Sequence, residues 1–266
     1  MRRRFFVERF EHDSATLRAE TAEHLGRVLR AEPGQLYELS DGHQVWLARV
    51  ERLALSKRGN SRIEFSLVEP IEAAQPSLRI TLLLSIVKFD RFEWCLEKAT
   101  ELGVDEIVPL AAARTDKPLV SAAGKRRERW QRIVLESAQQ SRRLRSPVIG
   151  SSMRPEVAFA QSSAEIKILL SERQEATMFR KVLDRDSPLV AHALLPVRLS
   201  AGAQSEAPAQ PIVSLAVGPE GGWLDQEISA ATANRFLEVS LGANILRTET
   251  AVIASLAILQ FALGTA

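Results

Sequence analysis

Two segments near the carboxyl end carry residue types at spacings that could do chemistry. In Val213-Ser214-Leu215-Ala216-Val217-Gly218-Pro219-Glu220-Gly221-Gly222-Trp223 an apolar strand runs into three glycines and a proline. Such a loop lets a ligand reach backbone N–H and C=O groups without side-chain obstruction. It is no P-loop, because the Lys-Ser/Thr ending is missing, and Pro219 and Trp223 break the G-x-G-x-x-G pattern. The second segment, Leu241 to Ala251, joins a strand end, a glycine turn at Gly242 and a helix start with Thr248 as N-cap. Arg247 and Glu249 flank that cap in otherwise apolar surroundings, as a surface salt bridge or as reacting groups. Taken alone, each segment reads equally as a structural turn. Together, two glycine-bearing loops at the carboxyl ends of neighbouring strands are what a nucleotide-like ligand needs in an α/β sheet.

The elements that must position these loops follow from the periodicity. The chain has 266 residues, 45% apolar and 26% charged, enough for about two domains. Strand-like runs at Gln35–Leu39, Gln44–Leu55 and Ile63–Val68, with a helix over Thr21–Arg30 ended by Pro33-Gly34, predict a small β-barrel. The pattern breaks between Glu69 and Ser77. Beyond it, strands at 78–87, 104–110, 166–171, 212–217 and 236–241 alternate with helices at 90–102, 124–143, from about 225, and 248–263. That alternation predicts a mainly parallel α/β domain. The segment 198–211 reads as a surface insertion.

Charge is unevenly placed. Residues 114–154 hold 11 Lys/Arg against 3 Asp/Glu, although the whole chain carries only +2. Such a stretch fits either a polyanion-binding face or a solvated helix face. The apolar run Ala251–Leu263 is too short to cross a bilayer, and the first residues do not read as a secretory signal. One cysteine and four scattered histidines exclude a disulfide framework and a zinc-finger array, so no metal is expected. A cytoplasmic protein is expected.

The glycine loop, followed by Leu241-Gly242 and Ile245-Leu246-Arg247-Thr248-Glu249-Thr250-Ala251, resembles the RsmE-type 16S ribosomal RNA (uracil-N3)-methyltransferases of the SPOUT superfamily. Arg4-Phe5-Phe6, His24 to Arg30 with Pro33-Gly34, Glu97 to Val104 with Pro109, and Gln140-Ser141 with Arg143 and Pro147 are similar to further family patterns in the same order. The sequence departs at Arg142, where the family usually has glycine, at Gln139, where it usually has glutamate, and at Ala112-Ala113.

The resemblance implies a PUA-like β-barrel RNA-binding domain (residues 1–72) and a trefoil-knotted SPOUT α/β methyltransferase domain (73–266). It implies a homodimer that binds S-adenosyl-L-methionine in the knot loops and methylates N3 of a uridine in the decoding region of 16S rRNA, on the small ribosomal subunit. It involves neither membrane nor DNA. Cofactor contacts are then expected at Leu84, Gly218, Pro219, Glu220, Gly221, Gly222, Leu241, Gly242, Ile245, Leu246, Arg247, Thr250 and Ala251. RNA contacts are expected from Arg2, Arg3, Arg4, Arg27 and Arg30, and from Lys125, Arg126, Arg129, Arg142 and Arg145. A sulfonium methyl is already activated, whereas uracil N3–H is a weak acid and a poor nucleophile. Catalysis must therefore orient N3 and stabilise the developing anion. Arg247, Arg143, Glu249 and Glu220 are the candidates, with Glu220 equally suited to orienting its own loop. A SPOUT enzyme with another target, such as tRNA 2′-O-methylation, and a non-catalytic RNA-binding protein stay open beside this reading.

Overall fold

The computed structural model describes residues 3–56, 60–73, 76–184 and 211–264. Arg2, and all but Pro211 of the expected insertion at 198–211, lie outside them. The chain divides into two compact units, residues 1–75 with 135–146, and residues 76–134 with 147–266.

The first unit is a six-stranded mixed sheet in the order β1-β4-β5-β6-β3-β2. Its strands are β1 (Arg4–Phe6), β2 (Phe10–Glu11), β3 (Ser14–Arg18), β4 (Leu36–Ser40), β5 (Val45–Ala54) and β6 (Arg62–Ile71). The first three are too short to show a period in the sequence. The sheet packs around Phe5, Leu17, Leu25, Leu39, Ile63 and Phe65, all but shut off from solvent. The expected helix at Thr21–Arg30 is a five-residue α-turn, Ala19–Glu23, continued by a π-helical turn, His24–Val28. Gly26 allows the close approach, since a Cβ there would lie 2.6 Å from Leu55.

Residues 135–146 group with this unit although the sequence boundary placed them in the second. Polar contacts hold them there. Arg4 donates to the Arg142 carbonyl (2.6 Å), and the Ser40 hydroxyl donates to the Leu144 carbonyl (2.6 Å). Arg4 also pairs with Glu38 at 3.0 Å, with both side chains under one-tenth exposed. Arg4 is therefore a buried structural cation and not an RNA contact. Arg142, at φ +55, sits 3.6 Å from the same carboxylate. Removing Arg4 would leave the buried Glu38 carboxylate with only the longer contact to the more exposed Arg142. Arg4→Ala should cost about 3 kcal/mol and lower the thermal midpoint by roughly 6–12 °C. Arg27→Ala, at an exposed position, should leave the midpoint unchanged and weaken RNA retention at low salt. Unchanged melting of the Arg4 variant in differential scanning calorimetry would contradict the assignment.

The second unit holds a seven-stranded sheet in which every pairing is parallel, ordered β11-β13-β10-β12-β7-β8-β9. The strands are β7 (Arg79–Ser85), β8 (Glu106–Leu110), β9 (Val148–Ile149), β10 (Ile166–Leu170), β11 (Thr177–Met178), β12 (Ile212–Val217) and β13 (Leu237–Ser240). Period-2 alternation sends β7 and β12 to both faces. Ile80, Leu82, Leu84, Val213, Leu215 and Val217 enter one core, and Leu83 and Ala216 the other. Being covered on both sides is why these strands read as unbroken apolar runs.

Helices Phe89–Glu101, Lys117–Gln140 and Thr248–Leu263 contribute to the first of these cores, and Pro155–Gln161 and Asp225–Ala233 to the second. The Phe89–Glu101 helix ends at Gly103, whose φ of +88 is the left-handed closure glycine permits. The helix expected over 124–143 instead starts at Lys117, with Pro118 tolerated in its first turn, and stops at Gln140. The left-handed backbone at Arg142 cannot continue it.

Candidate functional site

In the sheet order β10 separates β12 from β13, so the two glycine-bearing loops do not follow neighbouring strands as the sequence reading had them. The carboxyl end of β10 therefore lies between them. A cleft of about 200 Å³ opens there. Leu170, Ser171 and Glu172 come from the end of β10 and just beyond it, Val217 through Trp223 from the end of β12 and the glycine loop, and Ser240, Leu241, Asn244, Ile245, Leu246, Thr248 and Ala251 from the end of β13, the loop after it and the start of the last helix.

The glycine loop is held from both sides. Trp223 is buried and donates its indole N–H to the Leu170 carbonyl (2.9 Å), tying the loop to β10. The buried Thr248 hydroxyl donates to the Gly218 carbonyl (3.2 Å), tying it to the last helix. Thr248 is thus not the N-cap, as its residue type predicted. Arg247 takes that place with extended backbone, and Thr248 is the first helical residue with its hydroxyl turned to the loop. From the loop after β8 Arg114 donates to the Gly221 carbonyl (2.6 Å), and from the Phe89–Glu101 helix Arg91 donates to the Glu220 carboxylate (3.1 Å).

Glu227, 1% exposed, accepts from Ala113 N–H (2.9 Å) and Leu224 N–H (2.8 Å). That carboxylate fixes both the loop after β8 and the start of helix Asp225–Ala233. The sequence reading passed over Arg114, Glu172, Trp223 and Glu227 as site residues. Arg114, Trp223 and Glu227 each reach a partner more than 50 residues away in sequence: Gly221, Leu170 and Ala113.

Nine of the expected cofactor positions line the cleft: Gly218, Pro219, Glu220, Gly221, Gly222, Leu241, Ile245, Leu246 and Ala251. Leu84, Gly242, Arg247 and Thr250 are not among its lining residues. Leu84 is wholly buried, opposite Val217 in the ladder. Arg247 is exposed, between the lining residues Leu246 and Thr248. Among the described residues its side chain has no hydrogen-bond or ion-pair partner. Glu249 turns the other way. One of its carboxylate oxygens is buried without a partner, and burial, then the charge of Glu249, push the Cys95 thiol up to about 12. Glu220 is engaged by Arg91, and Arg143 belongs to the first unit.

The expected RNA contacts divide as well. Lys125, Arg27, Arg30, Arg142 and Arg145 are exposed, as is Arg3. Arg126 and Arg129 both pair with Glu93, at 3.3 and 2.8 Å, and Arg126 also lies over the Phe89 ring. Part of the basic stripe is therefore neutralised within the fold. No group of His, Cys, Asp and Glu that could hold a metal occurs among the described residues.

The cleft is lined by apolar side chains, by glycine main chain and by polar groups that include Ser171, Glu172, Asn244 and Thr248. Such a cleft can take a flat heteroaromatic ring between Leu170, Val217, Leu241, Ile245 and Leu246, with backbone groups free to read its edge. A Cβ on Gly222 would run into the Glu172 carboxylate, and its φ of +72 also requires glycine, so the cradle exists only for this residue. S-adenosyl-L-methionine, with an adenine and a compact polar tail, fits these walls.

Known proteins resemble the chain over most of its length. Residues 74–260 match the RNA methyltransferase domain family. A ribosomal RNA small subunit methyltransferase E of Synechocystis is 34% identical over 92% of this chain and 72% of its own length. Its namesake in Aquifex aeolicus is 29% identical over 96% and 98%. Among solved structures, a ribosomal RNA small subunit methyltransferase E from Neisseria gonorrhoeae bound to S-adenosyl methionine superposes with a TM-score of 0.76 at 30% identity, covering 98% of both chains. A Legionella pneumophila methyltransferase in complex with the same cofactor gives 0.77 at 27%, again over 98% of both chains.

Proposed function

Because this chain belongs to the RNA methyltransferase family that includes the ribosomal RNA small subunit methyltransferases E, we propose that it methylates N3 of a uridine in the decoding region of 16S rRNA. It is an S-adenosylmethionine-dependent rRNA methyltransferase. The observation that carries the reading is the cleft walled by the glycine loop, with the exposed Arg247 between its lining residues Leu246 and Thr248.

Residues 217–223 and 240–251 would hold the donor, which supplies an electrophilic methyl on sulfonium. The chain's own task is then to seat the uracil beside it and to make loss of the N3 proton less costly. The Arg247 guanidinium, next to the first turn of the Thr248–Leu263 helix, faces the anion that spreads over O2 and O4 with positive charge and helix dipole together. When bound, the donor would supply the methyl and be left as the neutral thioether, and the N3 proton would pass to solvent water, so the step balances without requiring a carboxylate base. Arg27, Arg30, Lys125 and Arg145 supply exposed charge for phosphate contacts.

On this reading the first unit is the PUA-like RNA-binding module, and the loops after β12 and β13 belong to the family's trefoil knot. The protein acts in the cytoplasm, where ribosomal subunits are, and no helix among the described residues is long and apolar enough to cross a membrane. It works as a homodimer. Support for that comes from the Thr248–Leu263 helix, apolar nearly all round, on which Phe261 is 91% and Ile258 37% exposed.

The test is nuclease digestion and mass spectrometry of 16S rRNA from cells with and without the gene. Loss of one N3-methyluridine, restored by the wild-type chain, is expected. Loss of a ribose methyl, or of a tRNA mark with the 16S pattern intact, would replace the substrate assignment. No change in any RNA would favour a binding module.

A further inference from the structure

Resting on the reading of the cleft as a methyl-donor site, we infer that Glu172 holds the ribose diol of that donor. Three observations lead there. First, β10 lies between β12 and β13, which brings Glu172, two residues past the strand, into the cleft wall beside the glycine loop. Its carboxylate oxygen occupies the space that a Cβ on Gly222 would need, with Cδ 3.2 Å from that position. Second, its acceptor capacity is unused. Among the described residues it has neither an ion pair nor a hydrogen bond.

The surrounding charges are already matched. Arg173 lies 3.2 Å from Asp225 and within 4 Å of Glu175 and Glu238, and Glu220, the other carboxylate in the wall, is held by Arg91. Third, Glu172 lines the same cleft as the apolar residues Leu170 and Leu246 that would take the base, and the ribose is bonded directly to that base. The amino-acid end of the donor is several bonds further on.

A carboxylate offers acceptors only, on two oxygens, and adjacent hydroxyls offer two donors at matching separation. The same logic places an acidic residue at the end of a neighbouring strand in dinucleotide-binding α/β sheets, opposite a glycine loop. In the glycine loop the one carboxylate, Glu220, is held by Arg91, and the Gly218 and Gly221 carbonyls already accept from Thr248 and Arg114.

Calorimetric titration of the full-length chain with S-adenosylhomocysteine, its 2′-deoxy form and 5′-methylthioadenosine decides the matter. Wild type should bind the 2′-deoxy ligand about tenfold more weakly than the parent. Glu172→Gln should bind the parent about tenfold more weakly and barely distinguish it from the deoxy ligand. The same variant should lose affinity for 5′-methylthioadenosine too, which keeps the diol and lacks the amino-acid end. Its thermal midpoint should not move, since the residue is exposed.

Equal discrimination against the deoxy ligand in both proteins overturns the inference. So does a variant that loses only the ligand bearing an ammonium group, because the carboxylate would then serve that end. A wild-type protein that gives no heat with either S-adenosylmethionine or S-adenosylhomocysteine overturns the cofactor reading, and this inference with it.

Discussion

Replacing Arg247 with alanine should lower turnover about a hundredfold while leaving donor affinity within about threefold. Loss of one group that stabilises transition-state charge typically costs a factor of 10² to 10³, and an exposed guanidinium belongs near the lower end because water screens it. Donor affinity should survive because the side chain does not line the cleft, and its main chain, which accepts the Ala251 N–H at 2.9 Å, is unchanged by the substitution. Arg247→Lys should recover part of the rate as a point charge without the planar fork that can face O2 and O4 together. Single-turnover methylation of small subunits lacking the mark gives the rate, and calorimetry gives the affinity. A variant that turns over at the wild-type rate removes Arg247 from the mechanism. One that loses donor affinity and rate by the same factor makes it a cofactor ligand instead.

The parts of the site legible in the sequence are those built from contiguous residues. The run from Val213 into Gly218–Gly222 announces a buried strand and an open main-chain loop, and the structure has β12 and the cleft floor there. The segment Leu241–Ala251 likewise supplies six of the residues that line the cleft. What the periodicity could not show is strand order. Apolar runs say that a strand is buried on both faces and nothing about which strand lies beside it. Interposing β10 between β12 and β13 is therefore a finding of the structure, and with it come Leu170, Ser171 and Glu172.

Charge proved equally blind to partnership. Arg4 and Arg129 look alike in a basic sequence, yet one is buried against Glu38 and the other is exposed on a helix and bound to Glu93. Residue type also misassigned Thr248: a threonine before an apolar run predicts a cap, but its hydroxyl reaches 30 residues back to Gly218. The short strands β1–β3 and helix Pro155–Gln161 escaped because too few residues repeat to establish a period.

The glycines of the cleft floor should not respond alike to an added methyl group. A Cβ on Gly218 would lie 3.1 Å from the Trp223 ring, tighter than ordinary van der Waals contact. That ring cannot yield: it is 6% exposed, its N–H is held by the Leu170 carbonyl, and it packs edge-on against Phe159 at 6.0 Å. The loop itself would have to move, stretching the Thr248 hydrogen bond and narrowing the cleft. Overpacking of this kind costs about 2 kcal/mol, which corresponds to roughly 30-fold weaker donor binding if it falls on the cleft geometry.

At Gly221 the added atom would sit 3.3 Å from carbons of Arg114, an exposed chain that can swing aside while its guanidinium keeps the Gly221 carbonyl. Gly221→Ala should therefore bind the donor within about threefold of wild type. Calorimetry on the two variants, with thermal midpoints to confirm folding, separates the cases. Equal losses at both positions would mean that loop freedom, and not the wall formed by Trp223, sets the affinity of the cleft. An unperturbed Gly218 variant would mean that the ring yields, and with it the claim that Trp223 fixes the floor.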